Sequence, residues 1–256
     1  MNKPLILITN DDSFSAPGIR YLIGVMREIG EVVVVAPDKP QSGMGHAITV
    51  STPLRLQKIK TEKNYKEYFC NGTPVDCVKL AVDKVLHRKP DLLVSGINHG
   101  SNASVNIIYS GTMSAVIEGA MGHIPSVGFS LNDYAYTADF SHTGTYIKSI
   151  CKNILENGLP KNTCLNVNFP TKSDVALKGV KICRQADAYW KEEFSERKDP
   201  HGRDYYWMMG VFENLDKGKD TDEWALKNNY VSIVPVHYDL TAHDSIPVIK
   251  KWKFDV

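Results

Sequence analysis

The chain has 256 residues, 43% hydrophobic and 23% charged, with 30 Lys+Arg against 29 Asp+Glu and a net charge of +1. That length and apolar content suffice for one sizeable core and exclude a disordered chain. The near-zero charge balance excludes an overall basic field for a nucleic-acid polymer, and no apolar run reaches the roughly 18–20 residues a membrane helix needs.

Taken in chain order, Leu5 to Thr9 is a short apolar run that stops at Asn10-Asp11-Asp12 and reads as a buried strand. Pro17 suits a helix start, and Ile19, Leu22, Ile23 and Met26 keep helical spacing until Gly30. Glu31 to Ala36 is a second β-branched strand ended by Pro37. Strand–helix–strand predicts a parallel pair with helices on its faces. The loop DKPQSGMGH follows, and then an extended excursion over 47–56 and 66–70, read as a hairpin. A turn at Asn71-Gly72-Thr73-Pro74 leads into a helix expected over 75–86.

Asp91 to Ser95 reads as the next buried strand, with Gly96-Ile97-Asn98 after it. A helix is expected over 111–121, a strand over 126–129, a helix over 140–155 and a strand over 165–169. Beyond residue 170 strands are expected over 180–183, 205–212 and 230–236, and Thr221 caps a short helix to Lys227. The stretch WKEEFSERKDPHGRD between the first two of these strands is polar and charged, and the end IPVIKKWKFDV is apolar and basic without helical spacing. These elements predict an α/β fold with a Rossmann-like, doubly wound, mostly parallel sheet. An α/β core spans residues 1–170, and a β-rich C-terminal part, available for exchange between subunits, spans 171–256.

The start MNKPLILITNDDS turns acidic too early for a secretory signal peptide. The five cysteines, Cys70, Cys77, Cys151, Cys164 and Cys183, include no CxxC pair, so no disulfide framework or zinc site is expected. A cytoplasmic protein with no membrane association is the expectation.

Ligands of open parallel sheets bind beyond the carboxyl ends of the strands. The polar residues following each strand are therefore the candidates. Asp11 and Asp12 follow the first strand, Ser42 the second, Asn98 and Asn102 the strand DLLVS. Two adjacent carboxylates repel in a low-dielectric cleft unless a cation offsets them. Carboxylates, a hydroxyl and an amide oxygen are the donors a hard divalent ion such as Mg²⁺ or Mn²⁺ takes. The plainer reading of an Asp-Asp pair is a turn. Ser110-Gly111-Thr112 opens a helix and offers free N–H groups to an anion, or an ordinary cap. Gly43-Met44-Gly45-His46 is a candidate flap beside Ser42, or a simple turn. His46 and His99 have no partner spaced to orient them and are read as structural or solvated.

The segments ILITNDDSFSAPGI, VVVVAPDKPQSGMGHAIT, NGTPVDCVKLAV, DLLVSGINHGSN and IYSGTMSAVIEGAMG together resemble the SurE family of nucleotidases. LNVNFP and TDEWALKNNYVSIVPVHYDLT extend the resemblance over nearly the whole chain. It implies a metal-dependent phosphomonoesterase acting on nucleoside 5′-monophosphates, and often on 3′-monophosphates. It implies that Asp11, Asp12, Ser42 and Asn98 hold the metal, that Asn98, Asn102, Ser110, Gly111 and Thr112 contact phosphate, and that Asp11 and Asp12 are catalytic. Whether either aspartate is base, nucleophile or ligand alone stays open. The resemblance also implies a homodimer or homotetramer with exchanged C-terminal segments. One departure is Ser13, where many relatives carry glycine after the acidic pair.

The rival reading is a non-catalytic, receiver-like Mg²⁺-dependent module. It needs a phospho-accepting aspartate after a central strand, where this chain has Ser95-Gly96-Ile97-Asn98. A dinucleotide-binding reading is disfavoured, because NDDSFSAPG puts negative charge where pyrophosphate would bind.

Overall fold

A computed structural model describes residues 3–254. β1 (Leu5–Thr9) is wholly buried, as a run of five apolar or β-branched residues requires. α1 (Pro17–Arg27) begins at Pro17 and buries Ile19, Leu22, Ile23 and Met26. β2 (Glu31–Pro37) pairs with β1 in parallel. β3 (Leu56–Glu62) and β4 (Tyr65–Cys70) form the expected hairpin, and β4 adds to β2 in parallel. The first arm runs over 56–62 and not over the expected 47–56, because 47–55 cross the surface without ladder pairing.

α2 (Pro74–Leu80) opens on a reciprocal cap. Thr73 Oγ1 accepts from the Asp76 N–H, and Asp76 Oδ2 accepts from the Thr73 N–H. The expected α-helix to Leu86 instead relaxes into a π-helical turn over Ala81–Val85. β5 (Leu92–His99) is longer than DLLVS, and α3 (Gly111–Met121) has the expected bounds. β6 (Ser126–Leu131), α4 (Gly144–Asn157) and β7 (Thr163–Phe169) follow. The fourth helix starts at Gly144 rather than at Phe140, whose side chain joins the core from the preceding loop.

β8 (Val180–Ile182) is followed by a long arm of β9 (Ala188–Lys198) paired antiparallel with β10 (Asp204–Asn214). No strand is expected over WKEEFSERKDPHGRD from its polar, charged sequence, yet most of it lies in this arm. Both faces of β9 meet water along most of its length, so no hydrophobic alternation marks it. α5 (Asp222–Lys227) is capped by Thr221, whose Oγ1 accepts from the Trp224 N–H. β11 (Val231–His237) and a four-residue helix, α6 (Ile246–Ile249), complete the described chain. That helix is too short for its spacing to register in sequence.

The main sheet has nine strands in the order β3-β4-β2-β1-β5-β6-β7-β11-β8. Neighbours from β4 through β7 are parallel. β11 joins β7 antiparallel and carries β8, so residues beyond 170 extend the same sheet. Alternation along β1 divides the core. Ile6 and Ile8 pack with α1 and α4, while Leu5 and Leu7 pack with α2 and α3. Covered on both faces, each such side chain contributes about 2 kcal/mol of burial. The order of strand addition reverses at β1 and β5, which neighbour each other in parallel although two α-helices and three strands separate them in sequence. That switch point opens a crevice at their carboxyl ends.

Candidate active site

Asp11 and Asp12 emerge from β1 into that crevice. Asn10 Nδ2 donates to the Ser13 carbonyl at 2.8 Å and closes the turn. Ser13 sits there at φ +89°, in the left-handed region where glycine is unstrained. The position at which the family resemblance expects glycine is therefore one whose backbone favours it.

β5 enters from the other side of the switch. Its pairing with β6 shifts between Ser95 and Asn98, an irregularity centred on Gly96, which has φ +126°. A Cβ on Gly96 would lie 2.3 Å from the Phe129 carbonyl oxygen, so only glycine fits. Such a bulge re-aims the next side chain. Asn98 thus stands in the last turn of pleat of the strand rather than after it. Its Nδ2 donates to the Gly100 carbonyl at 2.8 Å and to the His99 carbonyl at 3.4 Å, leaving the amide oxygen as its free end.

α3 approaches from the amino end. Ser110 caps it, its Oγ accepting from the Met113 N–H at 3.0 Å. A Cβ on Gly111 would fall 2.8 Å from Asp11 Cβ, so the helix start packs directly on that carboxylate. Thr112 Oγ1 donates to Asp11 Oδ1 at 2.6 Å. The His99 N–H donates to Asp12 Oδ2 at 3.1 Å.

A cavity of about 230 Å³ is lined by Asp11, Ser42, Asn98, Asn102 and Ser110. Asp12, Gly111 and Thr112 lie outside that lining, and the Thr112 hydroxyl is committed to Asp11. The loop bearing Ser42 is pinned across the site. The Gln41 N–H donates to the Asp11 carbonyl at 2.7 Å, and the Gly45 N–H to the Tyr109 carbonyl at 3.3 Å. His46 Nε2 meets Glu118 Oε2 at 3.1 Å, and Lys79 Nζ meets Glu118 Oε1 at 2.5 Å. The sequence offered His46 no partner, because Glu118 is 72 positions away. His99 Nδ1 contacts the Ala135 carbonyl at 3.0 Å and its ring stacks edge-on against Phe140.

Burial, and then the charge of Asp12, push the Asp11 carboxyl up to about 6, although contacts from Thr112 oppose them. Asp12 is raised as well, chiefly by burial, with the His99 N–H and then the charge of His99 pulling the other way. Among the described residues no lysine or arginine shifts either group. A buried carboxylate beside a half-buried one, with no lysine or arginine ion pair to either among the described residues and with the neutral oxygens of Ser42 and Asn98 alongside, fits a hard divalent cation. Half of that donor set is neutral, for among the described residues no three His, Cys, Asp or Glu side chains converge.

A family model described as Survival protein SurE matches residues 6–192. The chain belongs to the SurE family. It is 60% identical over 253 residues to the 5′-nucleotidase SurE of Flavobacterium psychrophilum, covering 98% of each chain. The 5′-nucleotidase SurE of Cytophaga hutchinsonii is 59% identical over 256 residues, covering 99% of each. The crystal structure of the SurE protein from Aquifex aeolicus superposes with a TM-score of 0.83 at 38% identity, covering 96% of this chain and 98% of that one. The mostly parallel doubly wound sheet is thus a SurE-family fold.

Within this SurE-family crevice, a relay of amides absent from the sequence reading holds the Asn102 loop. Asn168 Oδ1 accepts from the Asn102 N–H at 2.8 Å, and Asn168 Nδ2 donates to Asn166 Oδ1 at 2.9 Å. Asn166 Nδ2 donates to the Asn102 carbonyl, and Asn102 Nδ2 to Ser130 Oγ, each at 2.8 Å. The signal was the Asn-x-Asn alternation inside the apolar run LNVNF, which puts two amides on one face of a buried strand. Tyr109 and Trp190 also line the cavity without any sequence motif to mark them. Among the described residues, no helix is long and apolar enough to cross a membrane.

Proposed function

We propose that the chain is a divalent-metal-dependent phosphomonoesterase that releases phosphate from nucleoside 5′-monophosphates, and from 3′-monophosphates as well. The observation that carries the reading is the carboxylate pair of Asp11 and Asp12 at the switch point, without a lysine or arginine partner among the described residues and facing the start of α3. The names of the relatives support the nucleotide as substrate.

Asp11 and Asp12 hold a Mg²⁺ or Mn²⁺ ion, with Ser42 and Asn98 completing the protein donors. When bound, that ion supplies positive charge to the phosphoryl oxygens and to the attacking oxygen. The remaining work falls to the chain. Thr112 fixes the rotamer of Asp11 through its hydroxyl. The amino end of α3, with Ser110 at its cap, presents partial positive charge to the phosphoryl group, where negative charge spreads during transfer. The amide relay through Asn166 and Asn168 keeps Asn102 at the cavity wall. The C-terminal arm, with Trp207 and Val211 exposed on one face, supports a homo-oligomer. Neither a nucleic-acid polymer nor a membrane is required as a partner.

Phosphate release from AMP, measured with Mn²⁺ or Mg²⁺ and with chelator, tests the reading. Turnover should require the ion and fall at least a hundredfold in Asp11→Asn. A protein that binds the ion yet releases no phosphate is a receiver-like module instead. Undiminished turnover in chelator refutes the metal.

A further inference from the structure

A second cavity, of about 290 Å³, adjoins the first and shares two of its walls, Tyr109 and Trp190. Its other walls come from the arm: Glu192, Met208 and the strip around Gly210. The antiparallel register explains the grouping. Trp190 faces Phe212, Glu192 faces Gly210 and Phe194 faces Met208, so these pairs occupy one face of the β9–β10 ribbon. Gly210 leaves a gap in that face, since a Cβ there would come within 3.3 Å of the Trp190 ring.

Trp190 is held in place by two contacts. Its Nε1 donates to Asn106 Oδ1 at 2.7 Å, and its ring packs edge-on against Phe212 at 5.4 Å between centroids. The root of the arm is tied to the same loop by buried Asp222, whose carboxylate accepts from the Ser104 N–H at 2.8 Å and the Ala186 N–H at 2.9 Å. The result is an immobilised indole at the mouth of the polar cavity, with an open, mostly apolar trough beside it.

We infer that this trough receives the nucleobase of the substrate, and that Trp190 is a specificity-determining residue. The inference rests on the phosphomonoesterase reading, because the trough takes its meaning from a phosphate in the adjoining cavity. A base needs a flat apolar surface, and indole and phenol rings provide one that tolerates every base. Met208 adds a polarisable wall. Glu192 is the acceptor available to an exocyclic amine at the trough edge.

The test compares AMP with ribose 5-phosphate, which presents the same phosphoester without a base. In the unaltered protein the ratio of kcat/KM for AMP over ribose 5-phosphate should be on the order of tenfold, the usual size of one base–aromatic stack. In Trp190→Ala that ratio should fall close to one, through KM for AMP. Gly210→Val fills the trough without removing the indole and should lower the ratio as well. A ratio unaltered in both variants overturns the inference, whatever happens to the absolute rates. So does a change of oligomeric state at unaltered ratio, which would assign the trough to a second copy of the chain. Release of phosphate from neither compound by the unaltered protein is a different failure, that of the phosphomonoesterase reading beneath it.

Discussion

Replacing Asp11 by Asn should make the metal-free protein more stable while disabling it. Burial and Asp12 raise the Asp11 carboxyl from 3.8 to about 6, so the folded state binds that proton more tightly than the unfolded chain does. For a raised carboxyl the fold loses stability as pH climbs from the unfolded value through the folded one. Above pH 6 the deficit is the full shift of about two pH units, roughly 3 kcal/mol at 1.4 kcal/mol each. Asparagine carries no charge and can still accept from Thr112 Oγ1, although a neutral acceptor makes the weaker bond. The net gain is therefore about 1–2 kcal/mol, or roughly 2–4 °C in Tm for a chain of this size. Thermal unfolding in chelator at pH 8 and pH 5 measures it. The gain should be largest at pH 8, clearly smaller at pH 5, where the unfolded chain is still ionised while the folded Asp11 holds its proton, and absent only below the unfolded value of 3.8. Adding Mn²⁺ at pH 8 should then stabilise the parent protein and not the variant. A variant less stable than its parent at pH 8, or equally favoured at both pH values, refutes the electrostatic reasoning.

Ser13→Gly should stabilise the fold by about 0.5–1 kcal/mol, because φ +89° strains serine and not glycine; a lower unfolding midpoint would contradict this. Asn168→Ala leaves the Asn102 N–H without its acceptor and should cost about 1–3 kcal/mol in denaturant unfolding, with a loss within 0.5 kcal/mol counting against the relay. Glu118→Gln loosens the loop that carries Ser42 and should weaken Mn²⁺ binding roughly threefold at low salt, an effect that high salt should erase. Mn²⁺ affinity should fall about tenfold per pH unit below pH 6, as Asp11 takes up its proton; calorimetric titration that finds no slope there would exclude Asp11 as ligand.

The parallel sheet was legible because its strands are buried on both faces and read as unbroken apolar runs, as at Leu5 to Thr9 and Glu31 to Ala36. The same rule hid β9, which is wet on both faces and owes its extended form to pairing with β10. Sequence also misplaced the end of β5. Gly96 reads as a terminator, yet it serves as the pivot of a bulge that turns Asn98 toward the crevice. Candidate residues at strand ends converged because switch-point geometry is a property of topology, and topology follows from the order of strands and helices. What escaped were contacts over long sequence separations: His46 with Glu118, Asn102 with Asn168, and Trp190 with Asn106. No local pattern encodes such pairs. Thr112 illustrates the same limit, since its place at a helix start suggested phosphate while its hydroxyl belongs to Asp11.

Anomalous diffraction from a crystal soaked in Mn²⁺ bears most directly on the claim that Asp11 and Asp12 share a cation. One peak per chain should lie within coordination distance of both carboxylates, with the Ser42 hydroxyl and the Asn98 amide oxygen beside it. A map with no peak there, from protein that still hydrolyses AMP in the same solution, would contradict it.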